Sequence, residues 1–263
     1  MIRDIAIVAY NRPRYLDVTL ESLFMANNIQ DWRVSIYFDG GIAPDVYQMQ
    51  VEVISKYPAL KVVFGTAHLG CLMNHIAAIK GCFDSEAEEV LYGEDDFIFR
   101  KDALDYLVSV PRNATFHCLF GGGGKMAKEY CPIGNLICKD AFAPLYQWVA
   151  EKRYAGLSRP TKSYVLDVNT ESHDAVFFAY LLDKGLYTQF PDKSYTAHFG
   201  LTGLNYKKHA TEEERELEEY MFSGRRSTWL NRIIGLVERK EKLPTLMAER
   251  RLVPSSFRYD NGK

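Results

Sequence analysis

Apolar and polar positions alternate along the first hundred residues in short blocks of two kinds. "DIAIVAY" is a nearly continuous apolar run, as expected of a strand buried on both faces. In "RPRYLDVTLESLFMAN", Leu16, Leu20, Leu23 and Phe24 recur at helical spacing on one face and predict a helix. The pair then repeats. "WRVSIYFDGG" predicts a second strand closing on Asp39 and two glycines, and "APDVYQMQVEVISKY" a second helix. "LKVVFGT" predicts a third strand, "GCLMNHIAAIKGCF" a third helix and "EVLYGEDD" a fourth strand. Strand and helix alternating in this way imply βαβ units joined right-handedly. The expected class is α/β, with a mainly parallel central sheet flanked by helices.

Beyond Phe99 the pattern loosens. "RKDALDYLVSV" predicts a short helix, "TFHCLF" a strand and "GGGGKMAKEYCPIGN" a glycine-rich loop. The glycines from Gly121 lack the spacing of a phosphate-binding loop, and no GK[ST] follows, so a mobile cover over a site is their expected use. "NLICKDAFAPLYQWVAEKRY" reads as strand then helix. "SHDAVFFAYLLDKG" is a helix with Ser172 placed to cap it and Gly185 to end it. "YTAHFGLTG" follows as strand and turn. From about Asn205 the chain is charged and predicted mostly helical. The division is one domain over 1–204 and a helical extension over 205–263.

Composition narrows the class. Of 263 residues, 47% are hydrophobic and 25% charged, as in an ordinary soluble globular protein. A net charge of −2 gives the whole molecule no general grip on nucleic acid or acidic lipid, so such contacts would need a local patch. Cys71, Cys82, Cys118, Cys131 and Cys138 form no CxxC pair, and the odd count suits free thiols in a reducing compartment. No basic leader and no long apolar stretch is seen, so the expectation is a cytoplasmic protein with no membrane span.

In a parallel α/β sheet, ligands sit beyond the carboxyl ends of the strands. Asn11 and Arg12, Asp39, and the run Glu94, Asp95, Asp96 all fall at predicted strand ends and should share one rim. Crowded carboxylates repel, and burying them unpaired is costly, so a cation or a donor-rich ligand accounts for the triplet; the alternative is a solvated acidic turn. Asp39 also suits an Asp-Gly-Gly turn. Asp174 lies near a helix N-terminus, where a carboxylate is favoured either as a reactive group or as a simple helix charge. His198 ends a late strand, as a metal ligand or a polar strand-end residue. His75 alone reads as a packed core histidine, and His68, His117, His173 and His209 carry no comparable signal. In the extension, Arg225, Arg226 and Trp229 suit a grip on phosphate with stacking on a base, or packing against the domain.

Seven segments occur in the order seen in one enzyme family: "IAIVAYNRPRYLDVTLESL", "IYFDGG", "EDDFIFRKDAL", "FGGGG", "CPIGNLICKDAF", "HDAVFFAYL" and "TAHFG". Through residues 2–203 the chain resembles the GT-A glycosyltransferases, and in particular their N-acetylglucosaminyltransferase I-like branch. The resemblance implies a GT-A type Rossmann-like fold, with 1–99 as nucleotide-binding half and 100–204 as acceptor and catalytic half. It implies a UDP-sugar donor, a Mn2+ or Mg2+ ion at a DXD-type motif, and inversion at the anomeric carbon. By the same resemblance Asn11 and Arg12 lie beside the nucleotide, Asp39 accepts the uracil imide proton, and His75 meets the base or diphosphate. Glu94 and Asp95 face the base and ribose, Asp96 reaches the metal, and Asp174 is the catalytic base, with Glu171 the fallback. The acceptor is then a glycan, a lipid-linked sugar or hydroxymethylpyrimidine DNA in a bacterial or virus-infected cell. Two other classes compete. A nucleotidyltransferase also holds a metal on carboxylates, but "AYNRPRYL" lacks the glycines that class places after its first strand. A non-catalytic nucleotide-sugar binding module would need Asp39 and Asp96 but not Asp174.

Overall fold

The first apolar run forms β1 (Arg3–Ala9), and its alternation decides how the molecule is layered. Ile5, Ile7 and Ala9 point into one core and Ala6 and Val8 into another, because successive strand residues face opposite sides. The computed structural model describes residues 1–57, 60–121, 123–155, 158–160, 165–167 and 172–198. Gly122, Glu171, His209 and the whole 205–263 extension, with Arg225, Arg226 and Trp229, lie outside them.

The predicted elements appear in order, with short strands β5, β7, β9, β10 and β11 added among them. After β1 come α1 (Pro13–Phe24), β2 (Arg33–Phe38), α2 (Pro44–Ile54), β3 (Lys61–Phe64), α3 (Gly70–Asp84) and β4 (Glu89–Glu94). Then come β5 (Phe97–Phe99), α4 (Ala103–Ser109), β6 (Phe116–Cys118), β7 (Met126–Ala127), β8 (Asn135–Cys138) and α5 (Lys139–Ala150). The described chain ends with β9 (Ser158–Pro160), β10 (Val165–Asp167), α6 (His173–Lys184), β11 (Thr188–Gln189) and β12 (Thr196–His198). Leu16, Leu20 and Leu23 of α1 and Leu104 and Leu107 of α4 fill one face of the sheet. Ile76 and Ile79 of α3, Leu145 and Trp148 of α5, and Val176, Phe177 and Tyr180 of α6 fill the other. Among the described residues, no helix is long and apolar enough to cross a membrane.

The main sheet runs β3-β2-β1-β4-β8-β6-β11-β7. Its first four strands are all parallel, as expected. Val8 stands opposite Tyr37 on one side and Glu94 on the other, so β1, β2 and β4 end at one level. The second half is mixed: β8 runs antiparallel to both β4 and β6, and β7 is antiparallel to β11. "TAHFG" does not join this sheet. Its β12 pairs with β5 in a separate antiparallel ribbon, His198 opposite Phe97. Ser172 and Gly185 bound α6 as expected, Gly185 in the left-handed conformation at φ 67°, although the Ser172 hydroxyl makes no capping bond.

Candidate active site

The acidic triplet is held by α1. Thr19 donates to the Asp95 carbonyl at 2.7 Å and accepts from the Phe97 amide at 3.0 Å, while Ser22 accepts from the Phe99 amide at 3.1 Å. Two buried hydroxyls on a helix thus fix the turn between β4 and β5, and the turn aims three carboxyls. Asp95 and Asp96 are each 2% exposed, which disposes of a solvated acidic turn. The Arg12 guanidinium bridges them, contacting Asp95 Oδ1 and donating to Asp96 Oδ2 at 2.8 Å, and it lies over the Tyr15 ring. On the other side His198 Nε2 sits 3.1 Å from Asp96 Oδ2.

Arg12 and His198 face three crowded carboxyls, of which Asp95 and Asp96 are buried and Glu94 is partly exposed. Burial pushes Glu94 up to about 7, with Asp96 adding repulsion. Burial likewise pushes Asp95 up to about 6 despite Arg12 beside it. Burial also opposes ionisation of Asp96, yet His198 and Arg12 outweigh it and hold that carboxyl well below the usual range. The site therefore keeps one firmly ionised carboxylate next to two that are easily neutralised.

Asp96 Oδ1 is buried and has no hydrogen-bond partner among the described residues. An ionised carboxylate with a bare buried oxygen is costly unless something accepts its lone pair. Glu94, Asp96 and His198 each bring one donor atom within 4.8 Å of the others. Carboxylate oxygens with one imidazole suit a hard divalent ion such as Mg2+ or Mn2+, so these residues fit the implied metal.

Asp39 has a structural task. Its Oδ1 accepts from the Gly40 and Leu69 amides at 2.9 and 2.7 Å; its Oδ2 accepts from the Gly70 amide at 3.0 Å and meets His68 Nδ1 at 2.8 Å. A carboxylate from the end of β2 thereby caps the first turn of α3, whose own N-cap, Leu69, has no side-chain oxygen. Gly40 permits this, since a Cβ there would meet the Ala67 backbone at 2.5 Å. In α3, His75 is 1% exposed and its Nδ1 donates to the Cys71 carbonyl at 2.8 Å, a tautomer assigned from that bond. Burial lowers its pKa to about 4, so it is neutral.

Asp174 occupies the first turn of α6. Its Oδ1 is buried without a partner among the described residues, and burial raises its pKa although nearby backbone amides oppose the shift. The preceding His173 places Nδ1 3.8 Å from Glu94 Oε1, which brings the start of α6 to the triplet.

No protein-family model matches this chain, and no curated protein matches it in sequence. Solved structures do share its architecture. The mannosyltransferase PcManGT of Pyrobaculum calidifontis, solved with GDP-Man and Mn2+, superposes with a TM-score of 0.53 at 12% identity, over 78% of this chain and 58% of that one. TarS 1–349 of S. aureus, solved with UDP-GlcNAc, gives 0.50 at 16% identity, over 83% of this chain and 64% of that one. The fold is of the GT-A type. This chain spans less than two thirds of the length of either structure, and at these identities the likeness is one of fold.

On this GT-A fold the predicted residues separate into three groups. Arg12, Glu94, Asp95, Asp96 and His198 form one cluster, with His75 joined through Glu94 at 3.9 Å. Asp39 stands at the next strand end and Asn11 is exposed in the turn after β1. Asp174 arrives from α6. Sequence reading passed over Thr19, Ser22, His68, Cys71 and His173. For Cys71 the available signal was its place four residues before His75 on one helix. The glycine loop is fastened where it is described: the Ser194 hydroxyl bridges the Gly121 amide and carbonyl, and the Gly124 amide donates to Pro191.

Proposed function

We propose that this chain is an inverting, metal-dependent glycosyltransferase moving a sugar from a nucleotide-diphosphate donor, a UDP-sugar, to a hydroxyl acceptor. The observation that carries the reading is Asp96: a buried, firmly ionised carboxylate with one bare oxygen, beside His198, at the C-terminal rim of a GT-A sheet. The solved neighbours bound to GDP-Man with Mn2+ and to UDP-GlcNAc support the donor class. The order of the seven motifs supports the N-acetylglucosaminyltransferase I-like branch within the fold.

Asp96, with His198 and Glu94, would hold Mn2+ or Mg2+, which when bound stabilises the charge building on the leaving diphosphate. Arg12, with Asn11 beside it, presents positive charge to the nucleotide side of the rim. Asp39 takes the uracil imide proton as a hydrogen bond by giving up its contact with half-exposed His68, while its amide contacts keep α3 in place. Glu94 and Asp95 face the base and ribose, and buried His75 lies behind Glu94 on the diphosphate side. Asp174 accepts the acceptor hydroxyl's proton as that oxygen attacks the anomeric carbon from the face opposite the leaving group. Its raised pKa suits the task, because a base must bind the proton it removes.

A thermal-shift panel of nucleotide sugars with and without Mn2+ tests the reading; a metal-dependent rise with one donor is expected, and none with any diphosphate sugar would overturn it. Transfer assays on a glycan array and on hydroxymethylpyrimidine DNA then decide between the two acceptor classes.

A further inference from the structure

Glu94 borders a second set of donor atoms unlike the first. Cys71 and His75 lie one turn apart on α3, Glu94 ends β4, and His173 opens α6. Cys71 Sγ is 3.1 Å from His173 Nδ1 and 3.8 Å from Glu94 Oε1. Glu94 Oε1 is 3.8 Å from His173 Nδ1 and 3.9 Å from His75 Nε2. The two imidazoles stack with centroids 3.8 Å apart and planes 13° from parallel, within a shell of Tyr92, Tyr130 and Phe177.

A hydrogen-bonded core does not account for this packing. His173 Nε2 is buried without a partner among the described residues whether Nδ1 meets the Cys71 thiol or an ion, so His75 is the group that discriminates. His75 donates through Nδ1 to a carbonyl, so its Nε2 carries a lone pair, which is buried and equally unpartnered. An imidazole oriented by a backbone carbonyl through one nitrogen, with the other nitrogen bare, is the arrangement metal-bound histidines adopt. Tetrahedral zinc, with Zn–S near 2.3 Å and Zn–N and Zn–O near 2.0–2.2 Å, sets its ligand atoms about 3.2–3.6 Å apart. Four of the six separations are 3.1–3.9 Å and all lie within 4.8 Å, so closing the site takes a rotation of the stacked rings as well as a contraction toward that range.

We infer that Cys71, His75, Glu94 and His173 form a four-ligand binding site for zinc(II), distinct from the oxygen-rich site at Asp96. One sulfur, two nitrogens and one carboxylate oxygen favour a borderline-soft transition ion over Mg2+ or Mn2+. The four protein ligands complete the coordination, which assigns the ion a structural task. It ties α3, β4 and α6 together and thereby sets the height of Asp174, the residue after His173. Glu94 belongs to both sets of donor atoms, with Oε1 lying against this one. Binding releases the Cys71 proton to solvent. The site stands independently of the proposed transfer, since a chain that moved no sugar would still hold the ion.

Cobalt(II) titration of the full-length, metal-stripped protein tests it. The expected result is one equivalent bound with a thiolate-to-cobalt charge-transfer band and intense tetrahedral visible bands, both erased by one equivalent of zinc. Cys71→Ser should lose the charge-transfer band and weaken binding by at least about tenfold. Asp96→Asn should keep the cobalt spectrum. Should Cys71→Ser fail to fold, X-ray absorption of the zinc-loaded wild type decides, with one sulfur and three nitrogen or oxygen neighbours expected. Absent cobalt bands, a charge-transfer band persisting in Cys71→Ser, or a zinc shell with no sulfur or more than one would overturn the assignment.

Discussion

The two halves of this GT-A sheet do different work. From β1 to β4 the strands are parallel and end at one level, so Arg12, Asp39 and the acidic triplet reach the rim directly from strand ends. Beyond β5 the strands are short and mostly antiparallel, and the groups they serve arrive by other routes. His198 comes back on the β12–β5 ribbon, and His173 and Asp174 come on the first turn of α6. The halves meet at Asp96 with His198 and at Glu94 with His173. The first half thus builds a charged platform from neighbouring strands, and the second returns a carboxyl and two imidazoles to it over long stretches of chain. Recognition and chemistry should therefore be separable by substitution.

The sharpest break is Asp174→Asn, which should cut transfer by about a thousandfold or more and leave the metal-dependent donor shift intact. Lost donor binding would place Asp174 on the platform, and unchanged turnover would reject it as the base. Next comes Arg12→Gln on the platform itself. Removing the guanidinium leaves buried Asp95 without its cation and Asp96 with His198 alone, so the fold at neutral pH without metal should lose roughly 3 kcal/mol of stability. Added Mn2+ should recover part of it, and a variant as stable as wild type would show that Arg12 does not offset these charges.

A third prediction concerns the second half. His117 in β6 is fully buried, and burial, then the charge of Arg112, lowers its pKa to about 4. Between that value and the unfolded pKa near 6.5, the unfolded chain takes up a proton that the folded one refuses. Its contribution is complete above pH 6.5 and is lost as pH falls toward 4. Relative to His117→Gln, wild type should lose on the order of 2 kcal/mol across that span in urea melts at stepped pH. Parallel curves would refute the burial argument. The smallest effect belongs to His198→Gln, which should weaken Mn2+-dependent donor binding about tenfold while Asp96 retains the ion. No change in the metal dependence would detach β12 from the platform.

Much of the first half was legible because its information is local. The apolar runs of β1 and β2, the Leu16–Leu20–Leu23 face of α1 and the turn at Asp39 each report on neighbours a few residues away. The common rim followed from strand polarity alone. The triplet was found for the same reason, since three acids after a buried strand conflict with their surroundings wherever the chain goes. Its support was not legible, because Thr19 and Ser22 look like ordinary helix residues until β5 lies against them.

Sequence alone determined the order of elements, the α/β class and the strand ends at which charge gathers, because periodicity and strand polarity depend on spacing along the chain. Only the tertiary structure decided that Asp39 caps α3, that His198 lies against Asp96, and that Cys71, His75 and His173 close around Glu94. Those contacts join residues up to about a hundred positions apart. Their energies come from burial and from which donors remain unmet, and both quantities exist only once the chain is packed.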